Sequence, residues 1–495
     1  MKQDKGGYNS IFKGTAIFGG VQILNILVNL IRGKFIALLL GPSGMGVYAL
    51  LNSSVNTISQ LSGLGLNMSA VKDISVAYEE NNQNLLCRVI CAFRKLVLFT
   101  GLLGGAIMLL SSPWLSDSAF GNRKYVFTFI ILSIVVFFTS LTNGEVALLQ
   151  GTRKLRELAY SSIIGSLAGL IVGIPLYYFM REDGIALAMI AFAVVTFVIN
   201  RYYARHIELV PMKVSTEETV QIGCRMLSLG IALTISNLLG SVTIYLINTY
   251  ISRWGNISDL GLYQAAISIT NQYVGLVFAA MAVDYFPRLA SIANNNDQVR
   301  EVANKQMEIV ILLVVPLIMT LIITSPLIIT ILLTKDFFSI IPLLRLMGIG
   351  LFFKALAFPL GYISFAKGDK YVFFWLEGIC SNLLNLVSSI VCYRIWGLEG
   401  LGISFFSTFC IYLIIIYFVT RLRYKYQFDD SVRRLFLPSL FFVVTVFLLF
   451  IFINNMIGYV IGLILLSVSG WFSYRELNRR IDIGSFFRAK FNKSA

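Results

Sequence analysis

Residues 33–73 read GKFIALLLGPSGMGVYALLNSSVNTISQLSGLGLNMSAVKD. An apolar run ends near Gly41-Pro42. A second opens at Gly46-Val47-Tyr48 and closes at Gly63-Leu64-Gly65, just before an amphipathic segment. With the residues upstream, these runs form candidate spans at about 14–38 and 45–68. About 18 or more apolar residues suffice to cross the roughly 30 Å hydrocarbon core as a helix. Within lipid the backbone must pair its own polar groups, so such runs fold as helices. The alternating polarity of a membrane β-barrel is absent.

The same reading extends along the whole chain. The 495 residues are 57% hydrophobic and 13% charged, where soluble domains carry about 25% charge. Fourteen spans result, the last two at about 434–453 and 455–474. The predicted fold class is therefore an all-α polytopic membrane protein. The connections leave no room for a sizeable extramembrane domain. The longest, about 69–91, 206–225 and 286–307, are amphipathic and are expected to lie along the membrane surface.

The net charge of +15 follows from topology. With the N-terminus cytoplasmic, about 30 of the 40 basic residues fall on the cytoplasmic side, as the positive-inside rule requires. The alternation stays in phase to the end, which supports an even number of spans and two cytoplasmic termini. Anionic inner-leaflet lipid is the general partner of that charge, and no nucleic acid is needed. The one histidine, His206, lies in a basic loop, and the six cysteines form no C-x-x-C pair. Neither a metal site nor another cofactor is expected.

An internal repeat organises the spans. Gly46-Val47-Tyr48 returns as Gly261-Leu262-Tyr263, and Gly184-Ile185-Ala186 as Gly400-Leu401-Gly402. Lys154 is matched by Lys370 and Lys72 by Arg288, all at an offset of 215 or 216. Six spans separate the copies, so the halves are parallel. Transporters of this kind hold substrate between pseudo-symmetric halves. The expected organisation is a lobe at 1–215, a second at 216–425, and a helix hairpin with a basic tail at 426–495.

The 33–73 stretch resembles the polysaccharide-unit flippases, the O-antigen translocase family of the multidrug/oligosaccharidyl-lipid/polysaccharide exporter superfamily. The resemblance rests on Gly33-Lys34, Gly41-Pro42, Gly44, Gly46 and Gly63-Leu64-Gly65, and in the second half on Phe286-Pro287-Arg288-Leu289. It covers about 10–425. It implies a non-enzymatic flippase in a bacterial inner membrane, carrying an undecaprenyl-diphosphate-linked oligosaccharide to the periplasmic leaflet. Coupling to H+ or Na+ and proximity to polysaccharide polymerase machinery belong to the same implication.

Ionisable groups at membrane depth are costly and face a cavity or a partner. Lys354 lies mid-span and is either a cavity-facing cation for the diphosphate or half of an ion pair. Arg32 and Lys34 are substrate cations or interfacial anchors, and Arg345 reads as interfacial. Glu145, Asp284 and Glu377 are ion-coupling candidates, each with a charge pair as the alternative. Asn237 and Asn248 suit sugar hydroxyls, or join helices. A cation-coupled multidrug antiporter would favour acids over these cations. A membrane-embedded polymerase or glycosyltransferase would need a large extramembrane loop. No phosphate-cradling G-x-x-x-x-G-K-[ST] loop occurs, and one histidine in a loop supports no serine-histidine-acid set.

Overall fold

The computed structural model describes residues 5–80, 82–207, 215–453 and 455–481; the side chains of some helical residues, Asp284 among them, lie outside the described residues. The described residues are helical throughout, without strands. In order the helices are α1 Lys5–Gly63, α2 Leu66–Glu79, α3 Gln83–Phe120, α4 Val126–Gly151, α5 Leu155–Met180, α6 Gly184–Ala204 and α7 Thr216–Trp254. There follow α8 Ile257–Ser291, α9 Asn296–Leu332, α10 Ile341–Ala366, α11 Lys370–Phe373, α12 Ser381–Tyr424, α13 Asp430–Phe452 and α14 Met456–Ile481.

The helices divide into fourteen membrane passes. Among the described residues nine continuous segments are long and apolar enough to cross a membrane. Three of these, Ile23–Gly63, Leu155–Ala204 and Lys370–Tyr424, hold two passes each. The 39-residue α7 and 35-residue α8 add the remaining two. In α1 the two passes meet at Gly41, whose φ of 67° and ψ of −167° break the helix and suit only glycine. Pro42 follows with φ preset for the new helix. Leu110, Phe127 and Phe179 point outward and are 70–80% exposed, as expected where lipid is the solvent. Trp114, Trp254, Trp396 and Trp471 are exposed too.

By contacts the chain forms two units, residues 1–264 and 265–495. In the first, α2 was expected on the membrane surface. Instead Leu66, Ala70, Ile74 and Ala77 bury one helical face against Ile90, Phe93 and Leu148. Among the described residues the other two long connections form no separate helices. Residues 208–214 lie outside the described residues, and α8 and α9 extend to within a short turn of each other. There the Asn295 side chain caps α9, accepting from the amides of Asp297 and Gln298. In the second unit the apolar windows of α9 and the α10 segment are 61% and 72% buried, against 22–33% for the other spans. That unit is therefore built around α9 and α10. Arg345 of α10, read as interfacial, is buried in the protein: it donates to the Phe450 carbonyl at 3.3 Å and lies against its ring. It ties α10 to α13.

The repeat is visible in backbone detail. Arg181 and Gly397, 216 positions apart, adopt the same conformation, φ 53°, ψ −131° and φ 59°, ψ −139°. Each precedes a glycine in close approach. A Cβ at Gly184 would lie 2.3 Å from the Leu176 carbonyl oxygen, and one at Gly400 2.1 Å from that of Cys392. After the fourth span Lys154 donates to the His206 carbonyl. At the matching corner Asp369 accepts from Arg423 Nε at 2.6 Å and Tyr424 Oη at 3.0 Å.

Within the first unit two copies of the motif meet. A Cβ at Gly46 would lie 2.0 Å from the Ile257 carbonyl oxygen, and a Cβ at Gly261 1.8 Å from the Pro42 carbonyl oxygen. Positions 42 and 257, like 46 and 261, are 215 apart, so the contact is reciprocal, as about a local two-fold axis. Neither glycine can gain a side chain without separating the helices. Gly46→Val and Gly261→Val are each expected to cost about 1–3 kcal/mol, read as a lower midpoint of thermal unfolding in detergent.

Candidate functional site

A cavity of about 490 Å³ lies inside the first unit, among α1, α4, α5 and α6. Its lining is built from helical stripes. Tyr48, Asn52 and Asn56 recur every four residues along the second arm of α1, and Thr139, Asn143, Val146 and Gln150 recur along α4. Residues at that spacing share one helix face. Across the cavity Asn25 donates to Ser162 at 2.9 Å and accepts from Ser166 at 3.2 Å, linking α1 to α5. A second recess of about 500 Å³ shares Asn56, Thr139 and Asn143 with the first and continues to Ser59, Gln60 and Asn237. Together they form one track in which amides and hydroxyls stand among apolar side chains. No carboxylate occurs among the described residues lining it.

Arg32 is the cation of that track. Its guanidinium lies 4.0 Å from the Phe192 ring centroid, and its Nη2 is buried with no hydrogen-bond partner. Phe192 is seated on Gly169, where a Cβ would come within 2.0 Å of the ring. Lys34 is exposed and lines neither recess. Asn237 lines the second recess, whereas Asn248 is buried within α7 and lines neither.

Lys354 belongs to the second unit. Its Nζ donates to Asn271 Oδ1 at 3.2 Å and lies 5.2 and 5.8 Å from the ring centroids of Phe409 and Phe405. A cation is thus held by an amide and two aromatic faces, with no carboxylate beside it among the described residues.

The three acids separate. Glu145 is buried between two arginines, Arg201 at 2.5 Å and Arg94 at 3.4 Å, and so takes the charge-pair alternative. The side chain of Asp284 lies outside the described residues. Glu377 stands on a π-helical turn, Phe374–Cys380, and accepts from the Tyr412 hydroxyl at 2.6 Å. Single π-turns are frequent at functional sites. No basic partner of Glu377 occurs among the described residues, and its Oε1 presses on Gly361 of α10, the helix that carries Lys354. Asn382 is structural, donating to the carbonyls of Glu377 and Gly378. Among the described residues no group of three or more His, Cys, Asp or Glu could hold a metal ion.

Sequence reading singled out Asn237 of the second recess but passed over Asn52, Asn56, Gln150 and Asn200 of the first cavity. The four-residue recurrence of Tyr48, Asn52, Asn56 and Gln60 was the signal available.

The sequence profile of the polysaccharide biosynthesis protein family matches residues 35–342, well over half of the chain. The chain belongs to this family. The chain is 24% identical over 410 residues to the lipid III flippase of Escherichia coli (strain K12), and equally to that of Shigella flexneri, covering 81% of this chain and 96% of each relative. Its fold is shared with the lipid II flippase MurJ in an inward closed conformation, at a TM-score of 0.71 and 15% identity over 94% of this chain and 99% of the other. It is shared too with an inward-facing multidrug resistance MATE family transporter, at a TM-score of 0.70 and 16% identity over 81% and 94%. At 94% coverage, too few residues stay unmatched for the C-terminal hairpin to be left out of the MurJ-like fold.

Because Glu145 joins α3, α4 and α6 through its two arginines, Glu145→Gln is expected to destabilise this family member by about 1–2 kcal/mol, allowing for the solvent reach of the arginines. The thermal midpoint should fall while transport per folded molecule stays unchanged.

Proposed function

We propose that this protein is a flippase for an undecaprenyl-diphosphate-linked oligosaccharide, the repeat unit of O-antigen or another surface polysaccharide. It works in a bacterial inner membrane with both termini cytoplasmic. The polar, acid-free track of the first unit carries the reading. Amides and hydroxyls suit a hydrated glycan, whereas a pocket for cationic drugs calls for carboxylates. The lobes at 1–215 and 216–425 alternate in access, the hairpin at 426–495 rides with them, and the prenyl tail stays in lipid. Lys354 and Arg32 supply positive charge to anionic groups of the substrate, and Glu377 carries the coupling H+ or Na+. The polymerase machinery that consumes the flipped unit is the proposed functional neighbour.

Complementation of a strain lacking its own repeat-unit flippase tests the reading. Restored surface polysaccharide with loss of the trapped lipid-linked intermediate is the expected result. A rise in drug resistance without restored glycan would favour the antiporter instead. In the same assay Lys354→Ala should reduce export at least tenfold at unchanged protein level, and Lys354→Arg should retain most of it, since charge is what the site contributes. Glu377→Gln should leave the protein folded but make export in inverted vesicles insensitive to an imposed proton or sodium gradient. Full gradient dependence in that variant would remove Glu377 from the coupling step.

A further inference from the structure

The track of the first unit has a feature that a general wet cavity lacks: its charge is concentrated at one place. Tyr48, Asn52 and Asn56 face Thr139 and Asn143 along a neutral, hydrogen-bonding wall. At one position along it stands Arg32, with the Phe192 ring against its guanidinium and Nη2 left unpaired. Other buried polar atoms along the track are also unpaired: Asn200 Oδ1 in the first cavity, Ser59 Oγ and Gln60 Oε1 in the second. Buried polar groups are normally satisfied, and leaving several open within a membrane-embedded bundle is costly. A ligand that brings its own donors and acceptors removes that cost.

We propose that this cavity is a saccharide-reading subsite, specific for a sugar ring that carries one anionic group. Three matches define the ligand class. Amide side chains each offer donors and an acceptor, which fits vicinal hydroxyls that do both. A guanidinium held against an aromatic ring keeps N–H groups for a carboxylate or phosphate. The volume of about 490 Å³ lies within the range of small-molecule sites, about 300–1,000 Å³. The anion is the carboxylate of an acidic sugar or the phosphate on a sugar, since both share the chemistry that Arg32 recognises. Phe192, seated on Gly169, is a positioning residue that keeps the guanidinium edge free.

The proposal rests on the flippase reading but is tested without transport, so the two fail separately: export assays judge the reading, and direct binding judges the subsite. The full chain in lipid nanodiscs is titrated by saturation-transfer NMR with glucuronosyl-glucose, with the neutral glucosyl-glucose, and with glucose 1-phosphate. At least one anionic probe should bind about tenfold more tightly than the neutral disaccharide, the expectation for one charge-assisted contact. Which of the two does so identifies the source of the anion. Arg32→Gln should bring the ratio near one, and Arg32→Lys should keep part of it. Should Arg32→Gln not fold, Asn143→Asp decides, because a carboxylate on the facing wall should weaken the anionic probe and spare the neutral one. Equal binding of anionic and neutral probes to the unaltered protein overturns the proposal, as does a preference unchanged by both variants.

Discussion

Hydrocarbon offers a polar group no partner, and that single constraint arranges this molecule. It forces every span into a helix and leaves apolar side chains such as Leu110 and Phe179 facing outward. It also weakens the usual reason for helices to adhere, because lipid tails are as apolar as leucine. What remains is close backbone approach and internal polar pairing. Both occur here, in the reciprocal contact of Gly46 and Gly261 and in Glu145 between Arg94 and Arg201.

The fold was legible because its determinants are long and periodic. Apolar runs of membrane length cannot do much else, and glycines at a constant offset mark the repeat. The passes within α1 were separated correctly near Gly41, where a left-handed backbone breaks an otherwise continuous hydrogen-bonding pattern. The path of α2 was not legible. Its amphipathic pattern says only that one face is buried, and protein serves that face as well as a lipid headgroup would. The contact of Arg345 was not legible either, because its partner, the Phe450 carbonyl, lies 105 residues away.

The candidate site was legible only in part. Single charges stand out in an apolar sequence, so Arg32, Lys354 and Glu377 could be named as candidates. Neutral amides do not stand out, and the meaning of Asn52, Asn56 and Asn200 emerges only when α1, α4 and α6 surround one space. Whether a charge is paired is also a tertiary property. Glu145 and Glu377 look alike in the chain, yet one lies between two arginines and the other meets a tyrosine on a π-turn. The two units thus treat charge differently. In the first, a lone guanidinium stands beside neutral amides. In the second, a cation and a carboxyl contact the same helix, α10.

Arg181 and Gly397 hold one backbone shape with different residues. For arginine that shape costs of order 1–3 kcal/mol, and its guanidinium offsets the cost by donating to the Leu39 carbonyl at 2.7 Å. The two halves thus share a torsion angle where they do not share a side chain. One copy has the residue for which the turn is free, while the other has a costly residue and a tether. A search for ancient duplications by residue identity would miss this pair, whereas a comparison of φ and ψ along the two halves retrieves it at once.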